Sequence, residues 1–515
     1  MACPLAQVPE QVPEQVPVYP KPAPYKKHFV WRLFKGLHSW LGLLSDVDFR
    51  IPIGSVQVRG LHLVLLNEPQ AVKRVLVEEV EAFPKHPITL WILEPLIGRA
   101  IFSVNGAEWA RQRRLVDQAF QSAQLRRVLP QMRGAVEALL ERLDRQLAHS
   151  VERGGEPDGL VSIEIDAEMT LVTADVILRT ILSRPLQGDE AAGIFRAFAR
   201  YQRRAGQALM LRFLRLSERR LQAYLGRHAS TIRSWIGAAI EARLGGDASG
   251  CYGSDHNCDH IADTPEATSS RPSPPQDLLQ ALLEARDPDT GTGLSREELV
   301  DQVCFLFLAG HETSASALGM AVYLLGCFPE VQQRLRAEVR EVLGSRAGAP
   351  ERPLGFEDLR GLSYGAAVFN ETLRLYPPVS FFIREAQGDT ELAGSRCPMR
   401  SLVALSPWVI QRHEQHWSEP NAFRPERFMS DASTVDAAAT SADDRRWARD
   451  AFLPYGLGPR KCPGAAFALQ EALLVLAELV RRYELLPDPG PAPDLVGRLT
   501  LRSRNGIRVR LRRRL

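Results

Sequence analysis

The chain has almost no excess charge: 64 Lys and Arg stand against 61 Asp and Glu, a formal net charge of +3. So small an imbalance argues against nucleic acid as a partner. Cysteine is scarce and odd in number, seven in all, without paired spacing. A disulfide framework is thereby disfavoured, and a reducing compartment is expected. The first residues lack the charged start, apolar run and small-residue cleavage site of a signal peptide, so a cytoplasmic location is expected. The best candidate for a membrane span, residues 303–328, is interrupted at its centre by His311 and Glu312. A hydropathy scan flags that stretch by length, yet a polar break beside a glycine fits a buried helix crossing a reaction site. No glycine-rich dinucleotide fingerprint follows a strand, and no four-cysteine spacing suits an iron–sulfur cluster. Neither a flavin nor such a cluster is expected in this chain. Cys251, His256, Cys258 and His260 faintly resemble metal ligands, but they lie in a polar stretch and zinc is disfavoured.

What is present is a chain of 515 residues, 45% of them hydrophobic, enough for a large core. Residues 1–28 are rich in proline and repeat Val-Pro-Glu-Gln, so an extended or disordered segment is expected. Residues 29–44 suit an amphipathic helix with Trp31, Phe34, Leu37, Leu41 and Leu44 on one side. It is too short to cross a bilayer, so membrane contact is at most peripheral. Val56–Val58 and Leu61–Leu66 read as a hairpin around Gly60, and residues 130–150 and 218–243 as helices. Residues 245–275 and 430–444 are polar and read as flexible insertions.

The most telling segment is Tyr455-Gly456-Leu457-Gly458-Pro459-Arg460-Lys461-Cys462-Pro463-Gly464. One cysteine follows a glycine-rich turn and precedes a helix expected over Ala465–Arg482, with Pro463 suited to its first turn. Helix N–H groups and the neighbouring cations favour a thiolate there. Gly456 and Gly458 let the backbone pass close to something flat and bulky. An anionic metal ligand is the chemistry these features suit.

This segment closely resembles the haem-binding loop of the cytochrome P450 family. The matching positions are Tyr455, Gly456, Gly458, Arg460, Cys462 and Gly464; the family usually has Phe where Tyr455 stands. The resemblance implies haem b held by Cys462, in one catalytic domain over residues 29–515. The implied fold is mainly α-helical with a small β-rich lobe. Three further segments carry the resemblance. Ala309-Gly310-His311-Glu312-Thr313 is similar to the oxygen-activation helix, where Thr313 would hydrogen-bond the activated dioxygen and Glu312 relay protons. Gly310 and Ala309 would leave room for oxygen and substrate. Glu371 and Arg374, at i, i+3, match a buried pair that with Arg427 locks the loop to the cysteine. On spacing alone such a pair is an ordinary surface salt bridge. Trp109 and Arg113, at i, i+4, resemble residues that contact a haem propionate, as do Arg384 and Arg460. The planar guanidinium suits carboxylates.

What the resemblance implies is a monooxygenase that activates O2 and hydroxylates or epoxidises a hydrophobic small molecule. A fatty acid, terpenoid, steroid or polyketide would fit, because the family's pocket positions fall on apolar residues: Ile88, Trp91, Ile101, Phe305, Ala309, Val379 and Phe382, with Thr500. Lys85 reads more readily as surface charge than as a carboxylate anchor. Electrons would come from a separate ferredoxin with its reductase, or from a flavoprotein. Arg111, Arg114, Arg126, Arg127 and Lys461 could face such an acidic partner. A peroxide-driven or isomerase-type haem-thiolate enzyme and a non-catalytic haem protein are the rival readings. The Ala-, Arg- and Pro-rich composition fits a soluble bacterial member of the family.

Overall fold

The computed structural model describes residues 16–25, 32, 35–36, 38–58, 60–152, 159–186, 188–213, 217–244, 276–344, 352–429 and 450–514. The expected insertions at 245–275 and 430–444, and with them Cys251, His256, Cys258 and His260, lie outside the described residues. So do residues 1–15 and Trp31, Phe34 and Leu37 of the expected first helix. The longer helices are α1 (Gly106–Ala119), α2 (Ser122–Glu152), α3 (Ile165–Leu182), α4 (Gly188–Phe213), α5 (Glu218–Leu244), α6 (Arg296–Cys327), α7 (Pro329–Leu343), α8 (Ser363–Leu375) and α9 (Ala465–Arg482). The chain divides into two compact units. One comprises residues 1–86, 136–173 and 311–515; the other comprises 87–135 and 174–310.

The first unit holds every strand among the described residues. β1 (Ile53–Val58) and β2 (Leu61–Leu66) form a hairpin closed by Gly60, whose φ of +86° suits a residue without a side chain. Farther along come β3 (Val161–Glu164), β4 (Phe382–Glu385), β5 (Thr390–Leu392), β6 (Ser395–Cys397), β7 (Leu402–Leu405), β8 (Tyr483–Pro487), β9 (Leu495–Gly497), β10 (Leu501–Ser503) and β11 (Arg508–Arg513). The largest sheet runs β1-β2-β7-β4, and its one parallel pair is β2 with β7. Val64, Leu66, Val403 and Leu405 from that pair are fully buried, in a core that includes Val72, Val75, Trp417 and Leu453. A second sheet, β3-β11-β8, and the ribbons β9-β10 and β5-β6 complete it.

Residues 16–25, part of the stretch expected to be extended or disordered, make hydrogen bonds with the rest of their unit. Tyr376 Oη donates to the Val18 carbonyl at 2.6 Å, Tyr25 N–H donates to Asp46 Oδ1 at 2.8 Å, and Ala23 bridges to Ser45. The backbone of this proline-rich stretch finds partners, which composition does not register. In the expected first helix, Trp40–Leu43 forms a 3-10 turn instead.

The second unit has helices joined by loops and no strand among its described residues, from the last turns of α3, α4, α5 and the first half of α6 to α1 and the start of α2. A buried glutamine relay ties three of its segments. Ile101 N–H donates to Gln302 Oε1 (3.1 Å), Gln302 to Gln112 (2.8 Å) and Gln112 to the Arg99 carbonyl (2.8 Å). Gly310 accounts for close helix packing: a Cβ there would collide with Ile177 of α3. The space expected at Gly310 for oxygen and substrate is used by that side chain. No single helix among the described residues is long and apolar enough to cross a membrane.

Candidate functional site

The cysteine loop belongs to the strand-bearing unit. Gly456 and Gly458 take φ of +73° and +70°. At Gly458 a Cβ would strike the Leu76 carbonyl, so this glycine serves a close approach of two backbones. Cys462 N–H donates to the Tyr455 carbonyl (2.9 Å) and Lys461 N–H to the Gly458 carbonyl (3.0 Å), which closes the turn. Helix α9 starts at Ala465 with Gly464 as its cap, so Pro463 stands in the preceding turn and not inside the helix. Cys462 is exposed, whereas Cys304 and Cys397 are buried and Cys327 half-buried. Burial pushes the Cys304 thiol up to about 12 and raises Cys327 and Cys397 as well. Among the described residues, Cys462 is the exposed thiol and the one just ahead of a helix N-terminus, a setting that favours a thiolate.

Three cations crowd near this loop. Lys85 bridges Arg384 backbone to backbone, and Glu385 N–H donates to the Pro84 carbonyl (2.9 Å). Burial, then the charges of Arg384 and Arg460, push the Lys85 ammonium well down. Burial and Arg460 lower Arg384 to about 10, and burial alone lowers Arg460 to about 10. Lys85 is thus half-buried beside two other cations and not a freely solvated charge; the strand pairing that places it there was not legible locally. Cations that raise one another's cost suit a group bearing carboxylates, and an exposed thiol at a helix N-terminus suits its metal. The residues present fit a haem.

The expected locking cluster is fully buried. Arg374 Nε and Nη2 bind Glu371 at 2.7 and 2.8 Å, with both side chains at 0% exposure. Arg374 also donates to the carbonyls of Gln411 (2.8 Å), Pro420 (2.7 Å) and Ala422 (2.9 Å). Glu371 accepts from Arg424 N–H (2.9 Å) and from Arg427 Nε (3.4 Å). Gln411 carries the frame to the cysteine loop: it donates to Arg374 O (2.9 Å) and accepts from Leu453 N–H (2.7 Å).

In α6, Glu312 is buried and held by residues of the C-terminal hairpin. Its Oε2 accepts from Arg502 (2.8 and 3.1 Å) and from Thr500 Oγ1 (3.2 Å). Burial opposes ionisation, but Arg502, then His311, then these hydrogen bonds outweigh it and hold the carboxyl below its ordinary range. Thr500, expected to face substrate, spends its hydroxyl on Glu312. Thr313 is half-buried on the same helix, and Thr173 Oγ1 donates to the His311 carbonyl at 3.0 Å. Glu471 of α9 is fully buried with neither oxygen in hydrogen-bond geometry. Burial, only partly offset by the nearby Ser314 hydroxyl, raises it to about 8. Tyr455 Oη is buried without a hydrogen-bond partner, and burial followed by the Cys462 and Glu471 charges raises its pKa. Val379 and Phe382 are half-buried.

The helical unit carries the other expected residues. Trp109 and Arg113 share a face of α1, and Arg113 Nε pairs with Asp117 at 2.8 Å. Trp91 and Ile101 are buried, Ile88 and Ala309 half-buried, and Phe305 stacks on Phe102 with centroids 5.6 Å apart. Arg111 and Arg114 are engaged in ion pairs within their unit. Their charges are taken up by Glu298 (2.6 Å) and by Asp287 (2.7 Å) and Asp289 (3.0 Å). Arg126, Arg127 and Lys461 are exposed.

The cytochrome P450 family model matches residues 20–505. The chain belongs to the cytochrome P450 family. Cyclooctatin synthase of Streptomyces melanosporofaciens is 31% identical over 412 residues, covering 78% of this chain and 77% of that one. Pentalenene oxygenase of Streptomyces avermitilis is 28% identical over 481 residues, 92% and 94% of the two chains. The crystal structure of the cytochrome P450DA heme domain shares the fold, with a TM-score of 0.71 over 90% of each chain at 22% identity. This P450 is therefore a haem-thiolate monooxygenase, mainly α-helical with small sheets. Sequence reasoning missed Gln411, Glu471 and Arg502, and ranked Lys85 first as a surface charge. An arginine two residues beyond Thr500 and a lysine just ahead of the apolar segment were the available signals.

Proposed function

We propose that this P450 oxidises a terpenoid or similarly apolar polycyclic molecule, with electrons from a separate ferredoxin or flavoprotein. The observation that carries the substrate class is the apolar lining of the helical unit. Trp91 and Ile101 are buried, Phe102 stacks on Phe305, and the Ile101 N–H is held by the uncharged Gln302. Two relatives are named for cyclooctatin and pentalenene, which favours this class over fatty acids.

When bound, haem supplies the activation of O2 and the insertion of one oxygen atom into the substrate. Cys462 offers the thiolate, kept anionic by the helix N-terminus. Lys85, Arg384 and Arg460 would offer donors for the propionates. Thr313 would offer its hydroxyl toward the activated oxygen, and the Glu312 carboxylate would take up protons and pass them on.

The test is an optical titration of the purified holoprotein with terpenoids, fatty acids and steroids. A low- to high-spin shift with terpenoids alone supports the class; a shift only with fatty acids overturns it. For the relay, Thr313→Ala should divert electrons from product to peroxide. Unchanged product per electron would remove Thr313 from that role.

A further inference from the structure

Arg502 of β10 stands between two carboxylates. Its Nη2 and Nε reach Glu312 Oε2 at 2.8 and 3.1 Å, and its Nη1 reaches Asp166 Oδ1 at 3.1 Å. Nη1 also lies 3.4 Å from Thr170 Oγ1, one turn along α3 from Asp166. Among the described residues, the Arg502 guanidinium is the only cation paired with either acid apart from His311, whose Nε2 is 3.7 Å from Glu312 Oε1. Glu164 adds negative charge beside Asp166. The two oxygens of Glu312 differ. Oε2 takes all three donors, from Arg502 and Thr500, while Oε1 faces His311. Oε1 is the atom that can take a proton while Oε2 stays anchored.

We propose that Arg502 is a positioning residue that sets the protonation of Glu312, and that Asp166 competes with Glu312 for its guanidinium. A planar fork with five donors can divide itself between two carboxylates, and one charge cannot fully neutralise both. What Asp166 gains, Glu312 loses. When Arg502 leans to Asp166, an O–H bond forms at Glu312 Oε1 with a proton from solvent. The same bond breaks when that proton moves on toward Thr313, and the carboxylate is restored. When Arg502 leans to Glu312, the anion is held and proton uptake is slow. Burial raises Asp166 despite Arg502, so acidification discharges Asp166 first and commits the guanidinium to Glu312.

The proposal rests on the relay role of Glu312, and its test separates the two. The holoprotein carrying 13C-labelled glutamate is titrated by infrared difference spectroscopy, with Glu312→Gln used to identify the Glu312 carboxyl band. In Arg502→Gln the Glu312 midpoint should rise by about one to two pH units, the size expected for removing an adjacent opposite charge. In Asp166→Asn it should fall, because Arg502 is then undivided. Arg502→Lys, which keeps charge but loses the fork, should lie between wild type and Arg502→Gln. Opposite shifts in the two variants are a signature that mere loosening of the fold does not produce. Should Arg502→Gln not fold, Arg502→Lys and Asp166→Asn still decide the sign. Midpoints that stay put, or that move the same way in both, overturn the proposal. If the midpoints move as expected but Glu312→Gln keeps all electrons in product, the relay reading falls and control of Glu312 by Arg502 stands.

Discussion

Two charged clusters of the strand-bearing unit, one fully buried and one half-buried, are built in opposite ways. Around Glu371 and Arg374 every charge meets an opposite charge or a carbonyl, and Gln411 extends the frame to Leu453. Around Lys85, Arg384 and Arg460 the charges that act are all of one sign, and each is pushed toward its neutral form. The first arrangement is complete within the protein and serves the fold. The second gathers cations of one sign, a place where an anionic group would be stabilised. A buried ion cluster reads as structural when its hydrogen bonds close among protein atoms, and as a binding site when its charges fail to balance.

The largest effect should come from the residue beside the crowded cluster. Cys462→Ala should abolish the thiolate-type spectrum of the reduced carbon monoxide complex and all monooxygenase turnover. Survival of that spectrum would assign the metal to another ligand. Next, Arg374→Ala should destabilise the protein by about 3–5 kcal/mol, the usual cost of leaving one charge of a buried pair alone. Denaturant unfolding reads it, and a loss under 1 kcal/mol would reduce this cluster to a surface-type pair. Lys85→Met should do the reverse in haem-free protein. Relief of repulsion should leave its melting temperature unchanged or raised, while haem dissociates about tenfold faster from the loaded form, the equivalent of one charge-assisted hydrogen bond. A lowered melting temperature in the haem-free variant would move Lys85 into the structural class.

The smallest effect concerns Glu471, raised from 4.5 to about 8. Its folded form binds the proton more tightly than its unfolded form does. Its contribution to stability is therefore whole below pH 4.5 and is lost as pH rises to about 8. Glu471→Gln should flatten the thermal-stability profile across that window. A profile that keeps its slope would place the responsible group elsewhere.

The helices were the most legible part of the chain. The apolar spacing over Ala465–Arg482 and the hairpin around Gly60 correspond closely to the observed elements, because each depends on neighbours in sequence. The Glu371–Arg374 pair could be located by its i, i+3 spacing, yet nothing local distinguished it from a surface pair. Its burial depends on carbonyls at 411, 420 and 422. The same limit applied to Arg111 and Arg114, whose acidic partners lie more than 170 positions away.

The sequence by itself determined the family and the chemistry. A cysteine loop, an acid–alcohol pair and an apolar helix are short, contiguous patterns whose spacing carries their meaning. Only the tertiary structure decided which charges are spent and which are available. It placed Lys85 beside Arg384, set Thr500 and Arg502 on Glu312, enclosed Glu471, and filled the space at Gly310 with Ile177. Each of these depends on burial and on a partner distant in the chain. Burial sets the cost of a charge and the partner sets its relief, and local residue order encodes neither.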